Sequence, residues 1–214
     1  RHVRGEVRRA RVRRVALARA APRERAPPPA PPRVLGARDP GAGRAQHAVA
    51  VGGDWPLQPR TLRSLPETDP ALYDAAATFL QRKGIPQPDV RIVWATQVDL
   101  EGDGSDEVVV AATRVSVQDP TDAGAGDYSF VAVQKDINGT PTMVELSGNY
   151  FPQAGDFVAP YTYGVLGVLD LNGDGVLELV VTGSYYEGAF TTAFQVEGDK
   201  ARATDPGMLW AHDE

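Results

Sequence analysis

The chain has 214 residues, no cysteine and a formal net charge of −6. Its length allows one domain of ordinary size with a core large enough to fold unaided. The lack of cysteine excludes disulfides and thiolate metal sites, and no apolar run approaches the ~20 residues that span a bilayer. The charge is divided: residues 1–50 hold 13 Arg against 3 acids, and residues 51–214 hold the other 9 basic residues (22 − 13) against 25 acids (28 − 3). A tail of about +10 therefore precedes a body of about −16.

Residues 1–50 read as a disordered tail of Arg, Ala, Pro and Gly without sustained period, with a Pro-rich centre at Pro27–Pro32. A basic arm for nucleic acid is the sharper reading of Arg1–Arg14, but the acidic body opposes such a partner. The blander reading is a segment that reflects only GC-rich coding. A signal peptide fits poorly, because the apolar run Val15–Ala18 is cut short by Arg19. Residues 51–89 read as a linker holding one short helix. Asp69 caps it, Pro70 suits its first turn, and Leu72, Ala76, Phe79 and Leu80 share one face. Arg82 and Lys83 stand in the last turn before Gly84.

From residue 90 the chain reads as β structure. Ile92–Val98 and Glu107–Val117 are β-branched runs, Asp127–Gln134 alternates, and Asn138-Gly139 predicts a primed turn into Pro141–Leu146. The same plan recurs in Val165–Leu169, Glu178–Tyr186, Ala189–Val196 and Lys200–Thr204, with turns at Glu187-Gly188 and Glu197–Asp199. Each unit thus has strand, loop and strand, followed by a further pair of strands.

The loop in each unit is acidic, and the two share the pattern D-x-[DEN]-x-D-G-x-x-E: Asp99–Glu107 and Asp170–Glu178. Oxygen donors at alternate places, with a glycine where the chain turns sharply, suit a hard cation such as Ca²⁺ better than Mg²⁺. The candidate side-chain ligands are Asp99, Glu101, Asp103 and Glu107, and Asp170, Asn172, Asp174 and Glu178. Ser105 and Val176 are expected to offer backbone carbonyls, Gly104 and Gly175 a positive φ, and Asp106 to point outward. An ordinary Asp/Gly turn explains one Gly-Asp-Gly but not the repeated carboxylate at the ninth place. Without a cation, two carboxylates ~5 Å apart repel by roughly 3 kcal/mol at an effective dielectric of ~20, so the empty loop is expected to splay. An EF-hand is excluded, since the twelfth residues are Val110 and Val181 and the flanks are strand-like rather than helical.

These loops and flanks resemble the strand–loop–strand calcium motif of FG-GAP/VCBS repeats, known from integrin-type β-propellers. The resemblance covers roughly residues 90–204. Val168–Val181 lies close to the family pattern, and the first loop departs from it at Glu101, where Asp or Asn is usual. It implies a mainly β fold of two four-stranded, propeller-blade-like repeats. Two blades cannot close a ring, so the expectation is a compact β domain over residues 90–214.

The function expected is that of a non-enzymatic module outside the cytosol, in the extracellular space or cell envelope. It would bind about two Ca²⁺ ions structurally and present a surface to an unidentified protein or carbohydrate. The histidines (His2, His47 and His212) lie towards the ends of the chain, and neither G-x-S-x-G nor a phosphate loop occurs. The alternative is a polysaccharide-active enzyme or carbohydrate-binding domain. Its subsite would come from Tyr150, Phe151, Tyr161, Tyr163, Tyr185, Tyr186 and Phe190, although aromatics in β proteins more often serve the core.

Overall fold

A computed structural model describes residues 33–36, 48–51 and 55–204. The fold is mainly β, with two antiparallel sheets of five and four strands and one short helix.

The helix α1 (Pro70–Arg82) forms where the cap and apolar stripe predict it. Asp69 accepts the Leu72 N–H at 3.0 Å, and Leu72, Ala76, Phe79 and Leu80 are its buried residues. Gly84 takes a φ of +91°, which a glycine supplies without strain where the chain leaves the helix.

The five-stranded sheet runs β3 (Arg63–Ser64), β4 (Ile92–Val98), β5 (Glu107–Arg114), β6 (Asp127–Ile137) and β7 (Thr140–Phe151), each antiparallel to the next. The four-stranded sheet runs β8 (Thr162–Leu169), β9 (Glu178–Tyr185), β10 (Gly188–Glu197) and β11 (Lys200–Thr204). Asn138 and Gly139 have φ of 56° and 80°, the primed geometry that matches strand twist in a two-residue hairpin. The observed strands exceed the predicted ones chiefly at β6 and β7, which extend as far as Ile137 and Phe151.

Side-chain alternation on β5 and β6 places two apolar cores on opposite faces of one sheet. Val110, Ala112, Tyr128, Phe130 and Ala132 meet Leu72, Ala76, Phe79 and Leu80 of α1. Phe79 and Phe130 lie 4.9 Å apart between ring centroids, and Tyr150 completes the cluster at 6.1 Å from Phe79. On the other face Val109, Ala111, Val131 and Val133 meet Val168, Leu177, Leu179, Val181 and Val196 of the second unit. The two sheets are therefore packed on each other, with the helix as a third layer. At about 1.5–3 kcal/mol per fully buried large side chain, the shared core is what holds the two halves together.

Two features depart from the sequence reading. Within the predicted tail, β1 (Arg33–Gly36) and β2 (Ala48–Val51) pair as an antiparallel ribbon. Val34, Val49 and Val51 favour extended backbone, and pairing satisfies their peptide groups. The other residues of the predicted tail lie outside the described residues. The predicted linker also does more than connect. Leu57 is buried with Leu169 and Val180 on the outer face of the second sheet, with Trp55 packed beside them.

Candidate metal centre

Both acidic loops sit at the same place in their units, between the first and second strands. Val98 pairs with Glu107 across β4 and β5, and Leu169 pairs with Glu178 across β8 and β9. The ninth residue of each loop is thus the first of a central strand. It is buried because that strand is buried: Glu107 is 4% and Glu178 1% exposed.

The loops are also wired alike. The first Asp accepts the N–H groups of the fourth and sixth residues. For Asp99 these are Gly102 at 2.6 Å and Gly104 at 3.0 Å; for Asp170 they are Gly173 at 2.6 Å and Gly175 at 3.0 Å. The fifth-place carboxylate accepts the N–H of the seventh residue, Ser105 to Asp103 and Val176 to Asp174, both at 2.8 Å. The ninth-place Glu accepts the N–H of the second, Leu100 to Glu107 at 2.9 Å and Leu171 to Glu178 at 2.7 Å. Gly104 and Gly175 take φ of +89° and +85°, as the pattern predicts. Asp106 is exposed.

Sequence reasoning missed a second glycine in each loop. Gly102 and Gly173, at the fourth place, have φ of +79° and +82°. Each also lies under a side chain from the preceding segment: a Cβ on Gly173 would stand 2.9 Å from the Trp55 ring, and one on Gly102 would strike the Arg60 guanidinium. The repeated Gly at the fourth place was the available signal.

The surroundings of the two loops differ. In the first, Lys135 of β6 places Nζ 2.9 Å from Glu101 Oε2 and 3.9 Å from Glu107 Oε1, and its side chain is 8% exposed. Arg60 Nε lies 3.9 Å from Asp99 Oδ2, and its guanidinium donates to the carbonyls of Leu100 and Gly175. In the second loop, Asn172 Nδ2 lies between Asp174 Oδ2 at 2.9 Å and Glu178 Oε1 at 3.2 Å. Asp170, Asp174 and Glu178 have no ion pair among the described residues. Trp55 donates its indole N–H to the Asp170 carbonyl at 2.9 Å, and Asp170 N–H donates to Leu57 O at 2.8 Å.

Burial pushes the carboxyls of Glu107 and Glu178 up, against the N–H groups of Leu100 and Leu171, which pull them down. Neighbouring carboxylates push both further up, Asp174 and Asp170 for Glu178 and Glu101 and Asp103 for Glu107, but only Glu107 has a cation, Lys135, pulling the other way. Burial raises Asp99 too, but the N–H groups of Gly104 and Gly102 and the Arg60 charge outweigh it, and that carboxyl is lowered.

Among the described residues no three His, Cys, Asp or Glu side chains converge as a ready-made metal cluster. In the second loop the third donor is an amide, and Asn172 turns Nδ2 rather than its oxygen to the two carboxylates. Its Oδ1 accepts the Asp174 N–H at 2.8 Å, so acting as a ligand requires the amide to turn over. With that rotation the donor set is all hard oxygen, around a buried carboxylate that has no cation of its own. Those donors fit Ca²⁺. The first loop brings Glu101 and Glu107 together, but around an ammonium group.

Of the predicted aromatic group, Tyr150 belongs to the core beneath α1. Tyr161, Tyr163, Tyr185, Tyr186 and Phe190 instead cluster on the second sheet, with Tyr163 packed also against the core between the sheets. Tyr161 lies 5.1 Å from Tyr185 and 5.6 Å from Phe190 between ring centroids. Comparison with protein-family models, curated proteins and solved structures finds no match to this chain.

Proposed function

We propose that the chain is a calcium-binding β-repeat module of the FG-GAP/VCBS type, in which the metal is structural and the protein is not an enzyme. The observation that carries this reading is the shared wiring of the two loops. In each, backbone donors hold the first, fifth and ninth carboxylates in the same positions on a turn joining two paired strands. Secondary structure thus fixes the backbone that carries the donors, and side-chain rotation, the Asn172 amide included, would bring them onto a cation. In the second loop Asp170, Asp174 and Glu178, the turned-over Asn172 and the Val176 carbonyl would hold it. Ca²⁺ would supply the positive charge that the buried Glu178 lacks. The first loop offers Asp99, Glu101, Asp103, Glu107 and the Ser105 carbonyl.

The two meanders of four strands, β4–β7 and β8–β11, support reading each repeat as a propeller blade. Extracellular modules bind calcium with Kd of about 10⁻⁴–10⁻³ M, and an ion of that affinity is useful where calcium is abundant, which favours a place outside the cytosol. A thermal melt in millimolar calcium and in chelator tests the reading. Coincident melts, together with no heat on calorimetric titration, would end it.

A second reading is supported by the aromatic cluster. Tyr186 is 48% and Phe190 39% exposed beside the buried parts of Tyr161 and Tyr163. Exposed rings on a rigid sheet are suited to stack on sugar, so a carbohydrate partner is the form this surface would favour. Quenching of tyrosine emission by an oligosaccharide, lost in Tyr186→Ala, would establish it.

A further inference from the structure

The ladders align the two repeats residue by residue. Val108 pairs with Gln134 across β5 and β6, and Leu179 pairs with Phe194 across β9 and β10. One step further along each ladder, Glu107 stands beside Lys135 and Glu178 beside Gln195. The repeats therefore differ by a matched exchange. Where the first has Glu101 and Lys135, the second has Asn172 and Gln195, a neutral pair.

We propose that Lys135 is a tethered cation that takes the place of calcium in the first loop, leaving the second as the calcium site of the native chain. The inference rests on the calcium reading above. Lys135 Nζ lies between Glu101 and Glu107, the third- and ninth-place donors that would face an ion, and its stem is buried so that the ammonium cannot leave for solvent at small cost. Arg60 adds a second positive charge beside Asp99. A divalent ion entering this loop meets four carboxylates already half neutralised by two cations, and must displace an amine held by the strand it grows from. The second loop has no amine among its carboxylates, and Arg60 reaches only its Gly175 carbonyl. Arg202, opposite Gln195 on β11, turns instead to Glu197 at 3.5 Å with an exposed side chain. Glu101 is explained on the same grounds: its longer side chain reaches the ammonium, whereas the shorter Asn172 spans only its own loop.

Calorimetric titration of the full chain with Ca²⁺ tests this, with Tb³⁺ emission sensitised by Trp55, whose ring lies over Gly173, locating the second loop. The parent should take one ion, lost in Asp174→Ala and kept in Asp103→Ala. Lys135→Gln, which copies the second repeat, should take two, with the added ion lost when Asp103→Ala is combined with it. Gln195→Lys should weaken the native site more than tenfold. Should Lys135→Gln fail to fold, the pair Glu101→Asn with Lys135→Gln copies the second repeat at both places and is read in the same way. A parent that takes two ions, one lost with each Asp→Ala change, overturns the role of Lys135 and leaves the calcium reading standing. A parent that takes one ion, with the Lys135 variants also taking one, overturns it likewise. Absence of binding in every variant removes the calcium reading itself.

Discussion

The backbone N–H of Leu177 donates to the carbonyl of Leu100 at 2.8 Å, so main chain joins the second acidic loop to the first. Leu177 holds the eighth place of its loop, where the first loop has the exposed Asp106. An apolar side chain there enters the core between the sheets and brings its backbone against the other loop. Arg60 reinforces the junction by donating to Leu100 O and to Gly175 O.

Replacing Arg60 by Ala takes the side-chain donor from Gly175 O, while Leu100 O keeps the Leu177 N–H, and the expected loss is about 0.5–1.5 kcal/mol. Arg60→Lys should recover little, because one ammonium cannot reproduce a planar fork that meets two acceptors. Urea unfolding of the three proteins checks this. Equal midpoints for the parent and Arg60→Ala would mean that the guanidinium only decorates the junction.

Asp174→Ala should abolish the calcium-dependent rise in melting temperature, and Asp103→Ala should preserve most of it. At a free ion concentration of ~100 Kd, binding contributes about 2.7 kcal/mol, which corresponds to roughly 5–10 °C for a domain of this size. Paired melts in millimolar calcium and in chelator provide the comparison. A full rise retained in Asp174→Ala would remove the second loop as the site.

Tyr128 gives the protein a stability change at alkaline pH. Its hydroxyl accepts the Arg91 N–H at 2.7 Å and donates to Asp89 O at 2.9 Å, and burial pushes the phenol up to about 12 from its ordinary value of 10.0. The folded state then holds this proton more tightly than the unfolded state. Its contribution is complete below pH 10 and is lost as pH rises through about 12. Tyr128→Phe should flatten that part of the stability profile, and at neutral pH it should cost about 1–3 kcal/mol through the unpaired Arg91 N–H. An unchanged alkaline slope in the variant would assign the effect elsewhere.

Gly183 lies under the aromatic cluster. A methyl group there would stand 2.5 Å from Phe190 Cζ and 3.0 Å from Tyr163 Cε1. Gly183→Ala should therefore destabilise by about 1–3 kcal/mol through forced repacking. Combined with Phe190→Ala, the same change should cost much less, since the obstructing ring is gone. A double-mutant cycle read by chemical unfolding and near-ultraviolet circular dichroism checks this. Additive costs would show that the strand, rather than the ring above it, resists the substitution.

Local chemistry determined much of this molecule in a form readable along the chain. Asp69, Pro70 and the stripe Leu72, Ala76, Phe79 and Leu80 specify α1 because capping and period act within a few residues. The loops of Asp99–Glu107 and Asp170–Glu178 specify their own turns for the same reason: donor and acceptor are at most seven residues apart. Asn138-Gly139 and the alternating runs determine the hairpins. The ribbon of β1 and β2 was not legible, because its short strands sit among Arg, Pro and Gly and depend on pairing across a long intervening stretch.

Glu101 set the first loop apart along the chain, but only the tertiary structure placed a cation beside it. By sequence they differ at the third, seventh and eighth places, and nothing near Glu101 or Glu107 announces a cation. Lys135 lies 34 residues beyond Glu101 and reaches it because β6 runs antiparallel to β5 in one register; a slip of one residue would turn the amine to the other face. Arg60 and Trp55 reach the loops from a segment that reads as a linker, 40 residues before Leu100 and 115 before Asp170. Charge carried by a distant strand sets the electrostatics of an acidic loop, and that charge acts through space rather than along the chain.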